Sequence, residues 1–290
     1  MKWIAFDRNW SRYNNLYIPL GAIDFMTTKI FLNQSAIVTG AGVGIGYEVA
    51  RQLALGGASV LLNDLDADLA QQAAQTITDE GGICQGIGGD TANVESVRGL
   101  VGKAVELFGR LDIAVANAGL TLWADFFDYE PANFDRVLSV NLRGSYFLAQ
   151  AAARQMRAQG QGGRILFMSS VTGHQAIRYL STYGMTKAAL EMLARNLVIE
   201  LSPYQITINC VAPGATITPR NLADDPNYEA VWAKVTPTGR PALPADIAQA
   251  VLFFLSPQAG QITGQTLIVD GGWSAVSPTP SLDFVEKAEK

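Results

Sequence analysis

The stretch Ser35-Ala36-Ile37-Val38-Thr39-Gly40-Ala41-Gly42-Val43-Gly44-Ile45-Gly46 decides the fold. Its first four residues are small or apolar and suit a short strand, the next eight contain four glycines, and a helical period begins near Gly46. A strand that passes through a glycine turn into a helix presents free N–H groups and the positive helix end to an anion, and glycine lets the backbone come close to a pyrophosphate. An ordinary glycine turn is the competing reading. The strand before and the helix after favour a dinucleotide cradle at Gly40, Gly44, Ile45 and Gly46.

Outward from that turn, short β-branched or apolar runs alternate with longer segments of helical period. The runs are Ser35–Val38, Ser59–Leu62, Ile113–Ala116, Arg164–Met168, Thr207–Val211 and Thr266–Val269, with a weaker one at Ile83–Ile87. Helical segments fall near Gly46–Leu55, Ala67–Glu80, Val94–Phe108, Phe134–Gln159, Tyr183–Leu201 and Pro244–Leu255. Repeated β-α-β units with right-handed crossovers predict an α/β fold, a three-layer αβα sandwich around a Rossmann-type, doubly wound parallel sheet of about seven strands.

The 290 residues fit one large α/β domain, with 49% hydrophobic and 16% charged residues. No apolar run is long enough for a membrane span. The net charge of −5 and scattered basic residues lack the footprint of a nucleic-acid binder, so a small molecule is the expected partner. Two cysteines, Cys84 and Cys210, and one histidine leave no zinc ligand set, so no metal is expected, and a reducing, cytoplasmic setting is. Residues 1–25 are aromatic and charged without the apolar core of a signal peptide. They read as an upstream-start artefact before Met26, or as an arm that packs on a partner. The catalytic domain is expected over 26–276 and a solvated polar tail over 277–290.

The second strand ends at Asn63-Asp64, where a carboxylate can accept hydrogen bonds from the adenosine ribose. A 2′-phosphate meets repulsion there, and no basic residue in 63–69 or in Ala41-Gly42-Val43 offsets it. NAD is therefore expected over NADP. A helix-capping role for Asp64 is the alternative. Asp90, followed by Thr91, closes the third strand segment within reach of an adenine edge, with a helix cap as the competing role.

Ser170 follows the run Arg164–Met168 and emerges at the carboxyl edge of the sheet, where such folds bind ligands. Tyr183 and Lys187 stand four apart at the start of a helix, on one face about a turn apart. A tyrosine with an ordinary pKa of about 10 is a poor base, but a neighbouring ammonium and a positively charged nicotinamide favour its phenolate. Taken alone, such a pair is more often a helix-surface contact.

With these motifs in order, the chain resembles the short-chain dehydrogenase/reductase family in its common single-domain form. The likeness spans roughly 32–273: Thr39–Gly46, Asn117-Ala118-Gly119, Asn141 in Val-Asn-Leu-Arg-Gly, Ser169-Ser170, Tyr183 with Lys187, Pro213-Gly214 and Asp270-Gly271-Gly272. Thirteen residues separate Ser170 from Tyr183, the family's spacing. The resemblance implies Tyr183 as acid/base, with Lys187 lowering its pKa and holding the nicotinamide ribose. Ser170 orients the substrate oxygen, and Asn141 anchors a water that leads protons toward Lys187. It implies that Asn117 and Gly119 line the cofactor crevice, joined by Pro213, Thr216 and Thr218, the last near the carboxamide. Ala116 departs from the frequent Asn before Asn117, and the loop after Pro213 is individual.

The expected activity is hydride transfer between a nicotinamide cofactor and a secondary alcohol or its carbonyl, such as a sugar or polyol. A ketoreductase for carrier-bound acyl groups and a non-enzymatic dinucleotide sensor are the alternatives. The intact tetrad argues against a sensor, and Asp64 with the acidic balance argues against the carrier enzyme. His174 reads as pocket lining, Ala215–Arg240 as the substrate cover, and Arg143 and Arg178 as isolated surface charges. The resemblance also implies a homo-oligomer, tetramer or dimer, joined through Phe134–Gln159, Tyr183–Leu201 and the last strand. Tyr146, Phe147, Leu148, Leu190, Met192, Leu193, Leu197 and Val198 supply its apolar faces.

Overall fold

A computed structural model gives the fold, and it describes residues 29–276. The expected leading arm 1–25 and tail 277–290 lie outside the described residues. Seven parallel strands form one sheet in the order β3-β2-β1-β4-β5-β6-β7. They are β1 (Ser35–Thr39), β2 (Ser59–Asp64), β3 (Ile83–Gly88), β4 (Ile113–Ala116), β5 (Gly163–Met168), β6 (Ile206–Pro213) and β7 (Thr266–Val269). The order reverses between β1 and β4, so the carboxyl ends of these two strands flank the crevice where open α/β sheets take their ligands.

Alternation along each strand divides the apolar residues between two layers. Ala36, Val38, Val60, Leu62, Ile113, Val115, Leu166 and Met168 pack on one side, with Val49 and Leu53 of α1 (Gly44–Leu55), Ile77 of α2 (Ala67–Asp79) and, from a late helix (Pro244–Leu255), Val251. Ile37, Leu61, Ala114, Ile165, Phe167 and Ile208 pack on the other side, with Leu100 of α3 (Val94–Phe108). Burying each such Val, Leu, Ile or Phe contributes roughly 1.5–3 kcal/mol. That sheet is the rigid base on which the crevice stands.

One expected helix is in fact three segments. Phe134–Gln159 resolves into α4 (Pro131–Leu138), a π-helical turn (Ser139–Gly144) and α5 (Ser145–Gln159). Pro131 starts α4 three residues early because proline suits the first helical position. In the wide turn the Ser145 hydroxyl donates to the Asn141 carbonyl at 2.7 Å, and the Asn141 side chain is drawn toward Leu120. The helix that carries Tyr183 and Lys187, α6 (Ser181–Leu201), begins two residues earlier than expected. Within Ala215–Arg240 lie two short helices, α7 (Pro219–Asp224) and α8 (Tyr228–Ala233), and the late helix is α9 (Pro244–Leu255).

Part of the apolar face expected to join copies is used inside the molecule. Leu148 and Leu190 are core residues, and Phe147, Leu193, Leu197 and Val198 pack against that core. Tyr146 and Met192 stay exposed, as do Ile199 and, on the edge strand β7, Leu267 and Ile268. No described helix is long and apolar enough to cross a membrane.

Candidate active site

The glycine turn is built by its own backbone and by β4. Gly40 and Gly44 take positive φ, 59° and 67°, which other residues adopt only with strain. At Gly46 a Cβ would collide with Asn117 Nδ2 and the Gly40 carbonyl, so glycine allows α1 to start against the strand. Thr39 Oγ1 accepts the Asn117 and Ala118 N–H groups, both at 3.2 Å, and Asn117 Nδ2 donates to the carbonyls of Thr39 and Gly40 at 2.9 and 2.8 Å. Both Asn117 amide hydrogens are spent on the turn, so it braces the cradle from beneath.

Helix α1 has no side-chain cap at Val43, whereas Asp66 caps α2 and Asn93 caps α3. The first-turn N–H groups at Gly44, Ile45 and Gly46 thus need an outside acceptor, which a pyrophosphate supplies. Beside them, Asp64 Oδ2 accepts the Gly42 N–H at 2.9 Å and its Oδ1 accepts the Asp66 N–H at 3.3 Å. A carboxylate has about four acceptor positions, so two remain for ribose hydroxyls. The cap of α2 is Asp66, not Asp64. These residues fit a nicotinamide dinucleotide.

Farther along the crevice, Asp90 Oδ1 takes the Ala92 N–H at 2.8 Å and is exposed, beside an open depression lined also by Asn93, Val94 and Arg143. The cap of α3 is Asn93, so Asp90 holds the turn before the helix instead. The Thr91 carbonyl abuts Gly144 at the end of the π-helical turn. Pro213 ends β6, and beyond it Thr216 is turned inward, 3% exposed, its hydroxyl donating to the Gly214 carbonyl at 3.0 Å. Thr218 caps α7 and rests against the glycine turn, its methyl carbon 3.5 Å from where a Cβ of Gly44 would stand.

Tyr183 and Lys187 come together as their spacing predicts. Lys187, 3% exposed, donates from Nζ to the Met168 carbonyl at 2.7 Å, and Nζ lies 5.3 Å from the centre of the Tyr183 ring. Two of its three donor positions remain. Asn141 is wholly buried: Oδ1 accepts the Leu120 N–H at 2.7 Å, and Nδ2 donates to the Leu120 carbonyl at 3.0 Å and to Thr186 Oγ1 at 3.1 Å. A Cβ at Gly119 would lie 3.5 Å from Lys187 Nζ and 3.7 Å from Asn141 Oδ1, so both groups border the same small space. Ser170 projects from the end of β5 and accepts the Thr172 N–H at 3.3 Å.

Sequence reasoning overlooked three features. Thr186 supports Asn141, a role invisible until α6 meets the π-helical turn. Arg220 of α7 reaches over the mouth to donate to the Thr121 carbonyl at 2.7 Å. Tyr228 of α8 accepts from Asn221 Nδ2 at 3.3 Å, and burial above all raises its phenol above the usual tyrosine value, with Tyr183 a smaller contributor. The only available signal for the last was an aromatic spacing: Tyr228, Trp232 and Trp273 form a tilted and edge-to-face series with ring centres 6.0 and 5.7 Å apart.

An open parallel sheet with an uncapped glycine cradle at its switch point, and a buried Lys187 and Asn141 beside a part-buried Tyr183, defines a dinucleotide-dependent α/β enzyme. A family model described as enoyl-(acyl carrier protein) reductase matches residues 40–274. The L-rhamnose 1-dehydrogenase (NAD(P)(+)) of Azotobacter vinelandii is 37% identical over 250 residues, covering 84% of this chain and 97% of the relative. The tetrahydroxynaphthalene reductase of Pyricularia oryzae is 32% identical over 280 residues, 91% of this chain and 96% of the relative. Among solved structures, a short-chain type dehydrogenase/reductase from Mycobacterium marinum superposes with a TM-score of 0.81 at 33% identity, covering 86% of this chain and 99% of that one. The chain belongs to the short-chain dehydrogenase/reductase family, nicotinamide-dependent oxidoreductases of alcohols and carbonyls.

Proposed function

We propose that this enzyme interconverts a secondary alcohol, such as a sugar or polyol, and its carbonyl, with NAD preferred and Tyr183 as the acid/base. The observation that carries it is Lys187 Nζ, buried and 5.3 Å from the Tyr183 ring. A nicotinamide supplies or accepts the hydride when bound. In the oxidative direction the Tyr183 oxygen takes the proton of the substrate hydroxyl, and in reduction it returns one to the carbonyl oxygen. Lys187 keeps two donors for a ribose hydroxyl and a water. Ser170 donates to the substrate oxygen and holds it beside Tyr183. Asn141 fixes the far wall of the space where that water sits.

Asp64 supports the NAD preference through its two unused acceptor positions and the lack of a lysine or arginine in 41–43 and 63–69. Tyr228, Asn221, Trp232 and Trp273 support a ring-bearing, hydroxylated substrate, since aromatic faces stack on rings while the two polar ends bond hydroxyls. A carrier-bound acyl substrate is disfavoured, because Asp224, Asp225 and Glu229 outnumber Arg220 and Lys234 along 219–234 and leave that stretch net acidic toward an acidic carrier. The buried, unpaired thiols of Cys84 and Cys210 accord with a reducing cytoplasm.

Tyr183→Phe tests the assignment. Turnover with NAD and the best substrate from a panel of sugars, polyols, steroids and ketones should fall about a hundredfold or more, with the NADH Kd from fluorescence titration nearly unchanged. Retention of a tenth of the activity removes Tyr183 from the role. The assembly we propose is a homo-oligomer joined at the edge strand β7 and at the α5–α6 groove bordered by Tyr146, Arg157 and Tyr204. A monomer mass by light scattering at micromolar concentration refutes it.

A further inference from the structure

Behind Ser170 lies a charged group that the proposed chemistry does not use. Glu191, one turn beyond Lys187 on α6, is only 5% exposed. Its Oε1 receives the Ser169 hydroxyl at 2.6 Å and lies 2.9 Å from His174 Nε2. Ser169 and His174 bracket Ser170 on both sides: one precedes it, the other ends the short turn Val171–Gly173 that follows it. A single carboxylate oxygen therefore gathers both ends of the Ser170 segment onto the helix that bears Tyr183 and Lys187.

The packing has been cleared for this contact. A Cβ at Gly173 would stand 3.1 Å from the Ala188 nitrogen and 3.2 Å from Glu191 Oε1, and one at Gly184 would stand 2.7 Å from the Thr172 carbonyl oxygen. With no side chain at either point, the segment lies directly on the first turns of α6. The Ser169 hydroxyl has one hydrogen and two acceptors in reach, Glu191 Oε1 at 2.6 Å and the Lys187 carbonyl at 3.2 Å. The nearer and charged acceptor wins, since bonds to ionised groups are shorter and stronger. Burying a carboxylate is costly without such donors. At a sheet-to-helix contact that apolar packing could fill, its presence calls for another reason.

We infer that Glu191 is a positioning residue, which through Ser169 and His174 sets the separation of Ser170 from Tyr183. This rests on the reading of Ser170 and Tyr183 as the groups that hold and protonate the substrate oxygen. A shift of about 1 Å in such a pair can cost on the order of a hundredfold in rate.

The test is a double-mutant cycle on the full chain with NAD and the best alcohol of the panel, reading kcat, KM and, separately, the NADH Kd. Glu191→Ala should lower kcat about tenfold or more with the NADH Kd within about twofold, and Glu191→Gln, which keeps an oxygen acceptor for Ser169, should recover most of the loss. His174→Ala, a half-exposed change that leaves the core intact, should lower kcat severalfold. Adding it to Glu191→Ala should cost little more, because both remove one contact. Independent, multiplying effects of the two substitutions, or a kcat unchanged in His174→Ala and Glu191→Ala, overturn the inference. Should Glu191→Ala fail to fold, His174→Ala and Ser169→Ala carry the same test from the segment side. If Tyr183→Phe keeps its activity, the reading of the site fails instead, an outcome separate from this one.

Discussion

On the cofactor side of the cleft, the turn Thr39–Gly46 is held by backbone geometry, by Thr39 and by the Asn117 amide, all anchored on two central strands. On the other side, α7 and α8 have no fully buried residue, and the loop after β4 leaves Phe126 and Phe127 74% and 90% exposed. On the proposed reading one side would recognise a ligand part that never changes, the pyrophosphate, with main-chain N–H groups that no substitution of side chains alters. The other would have to fit one substrate among many, with side chains on weakly packed segments. Such segments belong to the low-stability end of a fold, where lids and binding loops are found. Lys187, with the Tyr183 ring 5.3 Å away, is fixed to the rigid side through the Met168 carbonyl.

The comparison can be broken most sharply at Asp64. Asp64→Ala should narrow the NAD over NADP ratio of kcat/KM by about 10- to 100-fold, since a like-charge juxtaposition costs several kcal/mol and about 1.4 kcal/mol is tenfold. The alcohol KM should stay put. Equal kcat/KM values for the two cofactors in the wild type would mean that the carboxylate only holds Gly42 and the turn to Asp66, and that the cofactor side is not specified there.

A smaller effect is expected across the mouth. Arg220→Ala removes the link from α7 to the Thr121 carbonyl, so the substrate KM should rise a few-fold, with kcat equal or higher if cover opening limits release. The NADH Kd and Tm should barely move, because a part-exposed contact contributes little to global stability. A Tm loss as large as that of a core truncation would show the cover to be structural.

The smallest and slowest signal distinguishes the halves through their thiols. Burial pushes Cys84 on β3 and Cys210 on β6 up to about 12, so neither should react with an aromatic disulfide reagent at pH 8 while folded. Labelling then waits on local opening. Cys84 should label first, because β3 is an edge strand paired only with β2, and saturating NADH should slow Cys84 more than Cys210. Mass spectrometry of time points reads the order, and labelling of Cys210 ahead of Cys84 would reverse the ranking of the two halves.

The sequence by itself determined the strand–turn–helix around Thr39–Gly46, the alternation of strands and helices, and the pairing of Tyr183 with Lys187. These depend on local periodicity and on spacings within a few residues, which fix geometry before any tertiary contact forms. It also marked Ser170, by its place after a strand, and Asn141, through a family resemblance and not through any local rule. What only the tertiary structure decided lies where distant segments meet. Asn117 turns its amide under the glycine loop, and Thr216 turns its hydroxyl to the Gly214 carbonyl. Phe134–Gln159 breaks into a π-helical turn because Asn141 is drawn to Leu120, twenty-one residues away. Arg220 reaches Thr121 across ninety-nine residues, and Glu191 gathers Ser169 and His174 behind the site. Such contacts leave no period in the chain, because their partners are set by the sheet order and not by sequence distance.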